Sequence, residues 1–328
     1  MAKTILLTGS SGTVGTALAQ ELVSRGYDVI PLDVKHSLWD EEIDRKTVFH
    51  DLRKPLPRQL LRWRKKPDMI IHFAANSRVH DLVVRPPLAR DNYLMTYNLL
   101  EYARQEKITR ILFSSSREVY GESRVGERRK EDDTTLIKIK APYTASKFGS
   151  EALLHAYHEC YGIKPVIVRL SNVYGRYDIS ERVIPLFIYC AVRNRDLIVF
   201  GKEKKLDFTY IDDCVDGLIQ IVKRFDRVAG LTFNLSRGVG ERIIDLAKMI
   251  VSHLDSGSKI KIGTKRVGEI SSFVGNISLA RTMLGYSPKV TLKEGLPINI
   301  KWHRQATRSE EMRVYQRQRR NLIRHGWA

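Results

Sequence analysis

Thr4-Ile5-Leu6-Leu7-Thr8-Gly9-Ser10-Ser11-Gly12-Thr13-Val14-Gly15 is the stretch that decides the fold. Its first five residues, apolar at the centre, read as a buried strand over 4–8. A helical pattern follows over 13–25, and Gly26 stops it. Between strand and helix the glycines recur at every third position. Glycines permit a tight turn and let the backbone approach a pyrophosphate. The helix N-terminus beyond them offers unpaired N–H groups at the positive end of its dipole. Strand, glycine turn and helix in direct succession therefore predict a dinucleotide-binding βα unit. Gly9, Ser11, Gly12, Thr13, Val14 and Gly15 are its expected phosphate cradle.

Working outward, 27–33 reads as a second strand ending at Asp33. That position matches the acidic residue expected about 20 residues beyond the glycines, where it would bind the adenosine ribose. A carboxylate there repels a 2′-phosphate, so NAD is expected rather than NADP. Asp51 and Leu52 fall where they would flank the adenine ring. Further strands are predicted over 69–75, 110–115 and 165–171, with helices over 91–105 and 142–161. This alternation implies an α/β fold, a Rossmann-type doubly wound parallel sheet. Beyond Gly175 the rhythm loosens into a helix over 183–194, a strand over 197–200, a helix over 212–225, and segments at 231–235, 243–254 and 259–263. The expectation is an NAD-binding domain over 1–175, rejoined by 207–238. A smaller, partly interleaved α/β substrate lobe would take 176–206 and 239–328, closing in a basic helix or tail over 304–328.

Composition narrows the function. A chain of 328 residues with 43% hydrophobic residues can bury a substantial core. No apolar run reaches the about 20 residues that span a bilayer, and the N-terminus turns too soon into Gly-Ser for a signal peptide. A cytoplasmic protein with no membrane partner is expected. Cys160, Cys190 and Cys214 are far apart, show no metal or disulfide spacing, and read as buried thiols. No metal site is expected. The net charge of +19 raises the question of nucleic acid, but the basic residues are spread along the chain without a zinc-finger or RNP-like motif. A field that draws in a polyanionic small substrate accounts for it, and no dedicated nucleic-acid partner is expected.

The chemistry is carried by Tyr143-Thr144-Ala145-Ser146-Lys147, which follows Pro142 at a helix start. Four-residue spacing sets the tyrosine and lysine on one helix face. An ammonium beside a phenol favours the phenolate and lowers a pKa of about 10. Such a tyrosine can exchange a proton with a sugar or alcohol hydroxyl near neutral pH.

Together these motifs resemble the extended short-chain dehydrogenase/reductase family, in its nucleotide-sugar epimerase/dehydratase branch. The resemblance runs from Thr4 to about Ile300. It rests on the glycine loop, His72-Phe73-Ala74-Ala75, Asn92, Asn98-Leu99-Leu100-Glu101 and Phe113-Ser114-Ser115-Ser116-Arg117-Glu118-Val119-Tyr120-Gly121. The Tyr143–Lys147 segment, Arg169-Leu170-Ser171-Asn172-Val173-Tyr174-Gly175 and Asp207-Phe208-Thr209-Tyr210-Ile211-Asp212-Asp213 complete it. It implies that Ser116, Tyr143 and Lys147 converge at the nicotinamide, with Ser116 polarising the substrate oxygen and Lys147 also holding the ribose. It implies cofactor contacts at Phe73, Ala74, Ala75 and Ser114, and at Asn92, which supports the active-site backbone. His72 is expected to be a packed strand histidine. Substrate contacts are implied at Glu118, Asn172 (diphosphate), Val183, Phe200 (beside the base), Arg266 (phosphate) and Glu269 (nucleotide ribose). A homodimer through the helices at 92–105 and 142–161 is implied as well.

Three departures stand out. The Lys204-Lys205-Leu206-Asp207-Phe208 run lacks an arginine that many relatives carry, so one phosphate contact is either lost or taken by Lys205 or Arg176. The loop after Gly175 is Arg176-Tyr177-Asp178, and 122–140 is unusually charged. Among the reactions such a scaffold supports, dehydration in similar proteins uses an Asp-Glu pair, and Arg117 stands in the aspartate's place beside Glu118. Decarboxylation implies a carboxylate-binding arginine shortly before a segment like Leu284-Gly285-Tyr286-Ser287-Pro288, and Phe273-Val274-Gly275-Asn276 supplies none. The expected function is NAD-dependent 4-epimerisation of a neutral nucleotide hexose, UDP-glucose/UDP-galactose preferred. The alternatives are a dehydratase, decarboxylase or reductase of the same family, or a non-catalytic NAD-binding regulator.

Overall fold

The computed structural model describes residues 3–61, 64–124 and 126–306. Six strands come first: β1 (Thr4–Thr8), β2 (Asp28–Asp33), β3 (Val48–Phe49), β4 (Met69–His72), β5 (Arg110–Ser116) and β6 (Lys164–Leu170). Then follow β7 (Asn172–Tyr174), β8 (Leu197–Phe200), β9 (Lys205–Tyr210), β10 (Thr232–Leu235), β11 (Gly240–Arg242), β12 (Ile260–Gly263) and β13 (Ser272–Phe273).

The large sheet is parallel, in the order β10-β6-β5-β4-β1-β2-β3. All five β1 residues are buried. Ile5 and Leu7 join one apolar layer, with Leu18 and Leu22 of the helix Thr13–Ser24, while Leu6 joins the other, with Ile30, Ile70 and Ile111. Alternate side chains face opposite sides of a strand, so a sheet covered on both faces needs apolar residues at consecutive positions. The strand order reverses between β1 and β4. There the connections leave in opposite directions and open a crevice at the carboxyl ends of the strands.

β9 pairs with β7 and β13 in parallel and with β11 antiparallel, and β8 pairs with β12. Within 207–238, β9 thus sits in the smaller sheet, whereas β10 extends the large one. The helix Ile211–Lys223, between them, packs on Thr13–Ser24.

The helix predicted from residue 91 begins at Pro87, because proline is tolerated in a first turn. The helix predicted to 194 ends at Ala191. The helix Leu292–Ala306 has no clean period in the sequence, since Gly295 and Pro297 interrupt it. It contains the first residues of the basic stretch expected over 304–328; residues 307–328 lie outside the described ones. Cys160 is exposed, against the expectation of buried thiols, and Cys214 is buried. Among the described residues, no helix is long and apolar enough to cross a membrane.

Candidate active site

The crevice is a cleft of about 990 Å³ running from the glycine loop past the end of β5 to Phe200 and Arg266. At one end Gly9 has φ +74° and packs so tightly that a Cβ would lie 2.6 Å from Ala74 N. A Cβ on Gly15 would collide with the Gly9 carbonyl. Only glycine fits either position. No side chain caps the helix Thr13–Ser24, so its first N–H groups stay available to an anion. Asp33 stiffens the turn. Its Oδ2 accepts from Ser11 N at 2.9 Å, and its Oδ1 from Val34 N at 2.7 Å and Lys35 N at 3.0 Å. Asp51 is held by Arg53, 2.6 Å away, whose hydrogen bonds keep that carboxyl below its ordinary range. A cradle of this kind, with a carboxylate at the ribose position, fits a dinucleotide such as NAD.

At the middle of the cleft β5 delivers Ser114 and Ser116, and the helix Pro142–Tyr161 delivers Tyr143 and Lys147. Tyr143 and Ser116 meet in the cleft, where the serine hydroxyl favours the phenolate. Lys147 Nζ donates to the Ser114 carbonyl at 2.7 Å and lies 4.9 Å from the Phe113 ring centroid. The helix spacing does put both side chains on one face, but the long lysine reaches past the phenol to the strand. The expected lysine-driven lowering of the phenol is therefore not seen. Burial raises the Tyr143 pKa above its ordinary 10.0, opposed by the Ser116 hydroxyl and the charges of Arg182 and Arg117. Burial also lowers Lys147 to about 8, with Glu151 opposing. His72 is buried between Thr8 Oγ1 (2.7 Å) and Thr96 Oγ1 (3.3 Å), and desolvation drops it to about 3, so it is neutral.

Asn92 does not line the cleft. Its Oδ1 accepts from Asn76 N at 2.7 Å, and its Nδ2 donates to Asn76 O at 3.0 Å and Ser146 Oγ at 3.2 Å. Ser146 Oγ in turn donates to the Tyr143 carbonyl at 2.7 Å. Asn92 thus couples the loop after β4 to the start of the tyrosine helix. These bonds give its side chain the backbone-supporting place that the resemblance implies.

The remaining expected residues all border the cleft: Leu52, Phe73, Ala74, Ala75, Glu118, Asn172, Val183, Phe200, Arg266 and Glu269. Arg266 stacks on Phe200, its guanidinium carbon 3.9 Å from the ring centroid, so one ring face is covered. Glu269 pairs with Lys204 at 2.6 Å and Arg266 at 3.8 Å. Lys204, not Lys205, reaches the cleft; neighbours at a strand start point opposite ways. Arg176 pairs instead with Asp212. Arg78 and Arg182 also line the cleft; Arg78 binds Glu181, and Arg182 Nη2 donates to Ser77 Oγ at 3.0 Å. Trp39 and Tyr177 border it near the glycine loop, their ring centroids 5.8 Å apart. Sequence reading missed these residues because each is a single side chain on a loop, without a spacing rule.

A buried serine–tyrosine pair, an adjacent lysine and a glycine-turn cradle thus share one cleft. The model of the NAD dependent epimerase/dehydratase family matches residues 5–236, and the chain belongs to that family. A putative UDP-glucose 4-epimerase of Methanocaldococcus jannaschii is 28% identical over 93% of this chain and 100% of its own. A dTDP-glucose 4,6-dehydratase of Xanthomonas campestris pv. campestris is 29% identical over 92% and 93%. The structure of a UDP-glucuronic acid 4-epimerase from Bacillus cereus, with UDP-glucuronic acid and NAD, aligns with a TM-score of 0.84 at 27% identity, over 92% of this chain and 99% of that one. NAD is accordingly the cofactor of this chain.

Proposed function

We propose that this protein inverts C4 of a UDP-linked hexose unit through a transient 4-keto sugar. The observation that carries this reading is the meeting of Ser116 and Tyr143 in the cleft, two strand residues from the Ser114 carbonyl that anchors Lys147. NAD, when bound, takes up and returns the C4 hydride. Tyr143 removes the C4 hydroxyl proton and later gives it back. Ser116 donates to the same oxygen as it becomes a carbonyl. Lys147 holds the ribose edge and supplies positive charge along the helix face. Gly9, Gly12 and Gly15 with the uncapped helix seat the pyrophosphate, and Asp33 holds the ribose. Lys204, Arg266 and Glu269 serve the nucleotide end. Dehydration is disfavoured because the guanidinium of Arg117 stands next to Ser116, where an acid would have to protonate the leaving group. We further propose a cytoplasmic homodimer, packed through the helices Pro87–Gln105 and Pro142–Tyr161, which expose Tyr93, Tyr97 and Tyr161.

The test is a panel of UDP-, dTDP- and GDP-sugars, with products identified by NMR. A C4 epimer is expected from a UDP-sugar with no net accumulation of NADH, and a loss of about 10²–10⁴-fold in Tyr143→Phe. A 4-keto-6-deoxy product, or full activity in Tyr143→Phe, refutes the reading.

A further inference from the structure

The unusually charged stretch 122–140 takes no part in the chemistry above, yet it lies between two pieces of the site. It follows the 3-10 turn Arg117–Tyr120 and precedes the helix Pro142–Tyr161. Its ends are pressed together, since a Cβ on Gly121 (φ +64°) would collide with the Lys138 carbonyl. Between them it runs along β13. Ser123 N donates to Ser272 O at 3.1 Å, Arg129 N to Val274 O at 2.9 Å, and Asn276 N to Arg129 O at 2.8 Å. A strand of two residues is too short to hold its place alone. β9 covers one edge of it, where Lys205 N donates to Ser271 O at 2.8 Å, and the charged stretch covers the other.

Glu122 sits at the centre of this seam. Its Oε1 accepts from Ser271 N and from Ser272 N, each at 2.7 Å. Its Oε2 accepts from Lys140 Nζ at 3.2 Å and Lys265 Nζ at 3.3 Å. The lysines are exposed and their pairs add little. The two backbone N–H groups bind a charged acceptor, which makes their bonds the strong ones. One carboxylate thus touches both flanks of 266–270, the segment that carries Arg266 and Glu269 to the cleft. The middle of that segment rests on the start of the tyrosine helix. A Cβ on Gly268 (φ +80°) would lie 3.3 Å from the Cβ of Ala141, the residue that caps Pro142–Tyr161.

We propose that Glu122 is a positioning residue for the nucleotide: it sets the segment 266–270 so that Arg266 and Glu269 face the cleft together, in fixed relation to the helix that carries Tyr143. This rests on the nucleotide-sugar reading above and adds to it a residue that acts through others. Without the carboxylate, two N–H groups at the start of β13 lose their acceptor, and the segment keeps only its upstream tether, where Gly263 of β12 pairs with Phe200. Arg266 and Glu269 would then meet the nucleotide from a segment free to shift, and binding energy would go into ordering it.

The NAD-loaded, full-length protein is titrated calorimetrically with UDP and with dTDP, and the tighter of the two is followed through the variants. Glu122→Ala should weaken it by about 10- to 100-fold, as a misplaced binding group does, while the protein keeps its NAD. Glu122→Gln, which retains an oxygen for the two N–H groups but no charge, should fall between alanine and wild type, and it carries the test if the alanine variant does not fold. Glu131→Ala removes the acceptor of Asn234 N, where the same stretch meets β10, and should bind the nucleotide within about threefold of wild type. In an Arg266→Ala/Glu269→Ala background the loss on changing Glu122 should shrink to within about threefold. Wild-type affinity in either Glu122 variant overturns the proposal. So does an equal loss in Glu131→Ala, or an undiminished loss in the doubly substituted background. Absence of nucleotide binding by the wild type overturns it together with the nucleotide-sugar reading, so the two failures are told apart.

Discussion

Lys147→Met should make the NAD-stripped protein more stable at neutral pH while abolishing turnover. The lysine is 4% exposed, and burial lowers it from the ordinary 10.5 to about 8. At about 1.4 kcal/mol for each pH unit, keeping it charged costs about 3 kcal/mol relative to an exposed lysine. Methionine removes that cost but leaves the Ser114 carbonyl without its 2.7 Å donor, a loss of about 1–1.5 kcal/mol. The net gain is about 2 kcal/mol at pH 7. The sign follows from proton counting. Between about 8 and 10.5 the unfolded chain holds a proton that the folded one has released, so wild-type stability rises with pH across this window. The variant lacks that rise, and by pH 10 the two should be about level. Urea denaturation of both proteins at pH 7 and pH 10 reads the difference directly. A variant less stable than wild type at pH 7, or a gap that does not change with pH, would refute the claim that the lysine is held there at the expense of stability.

The cofactor-stripped enzyme should show no tyrosinate absorbance difference between wild type and Tyr143→Phe below about pH 9, because burial raises this phenol above 10.0; a difference appearing near pH 7 would mean that the phenol is already tuned by protein alone. Gly9→Ala should cost at least about 1–2 kcal/mol through its φ of +74° and its contact with Ala74, and should release NAD on gel filtration; an alanine variant that keeps its NAD contradicts the cradle. Asp33→Ser should loosen NAD by about tenfold or more and narrow the gap to NADP, since it removes both the ribose acceptor and the bond from Ser11 N; unchanged cofactor affinities would separate Asp33 from the ribose.

The βαβ half of the molecule was legible in the sequence because its signals are local. A buried parallel strand needs consecutive apolar residues, as in β1, and a phosphate turn needs glycine at Gly9 and Gly15. The two-residue β13 and three-residue β11 carry too few residues for a pattern, and they exist only because β9 offers an edge to pair with. The same limit applies within the site. Gly9, Asp33, Ser116, Tyr143 and Lys147 stand in motifs whose spacing is itself the chemistry. Arg78, Arg182 and Lys204 come from separate loops and meet in the cleft through folding alone.

The sequence by itself determined the fold class, the dinucleotide end and the identity of the hydroxyl pair, since these follow from hydrophobic period, glycine spacing and residue type. Tertiary structure alone decided their states. Desolvation, a property of the packed interior, raises the Tyr143 phenol and sends Lys147 to the Ser114 carbonyl rather than to the tyrosine. Two hydrogen bonds tie Asn92 to the Asn76 backbone, and a third reaches Ser146 on the tyrosine helix. Packing against Asn172, Glu118 and Phe273 fixes Arg117, which in the sequence marked only a missing acid, at the edge of the cleft.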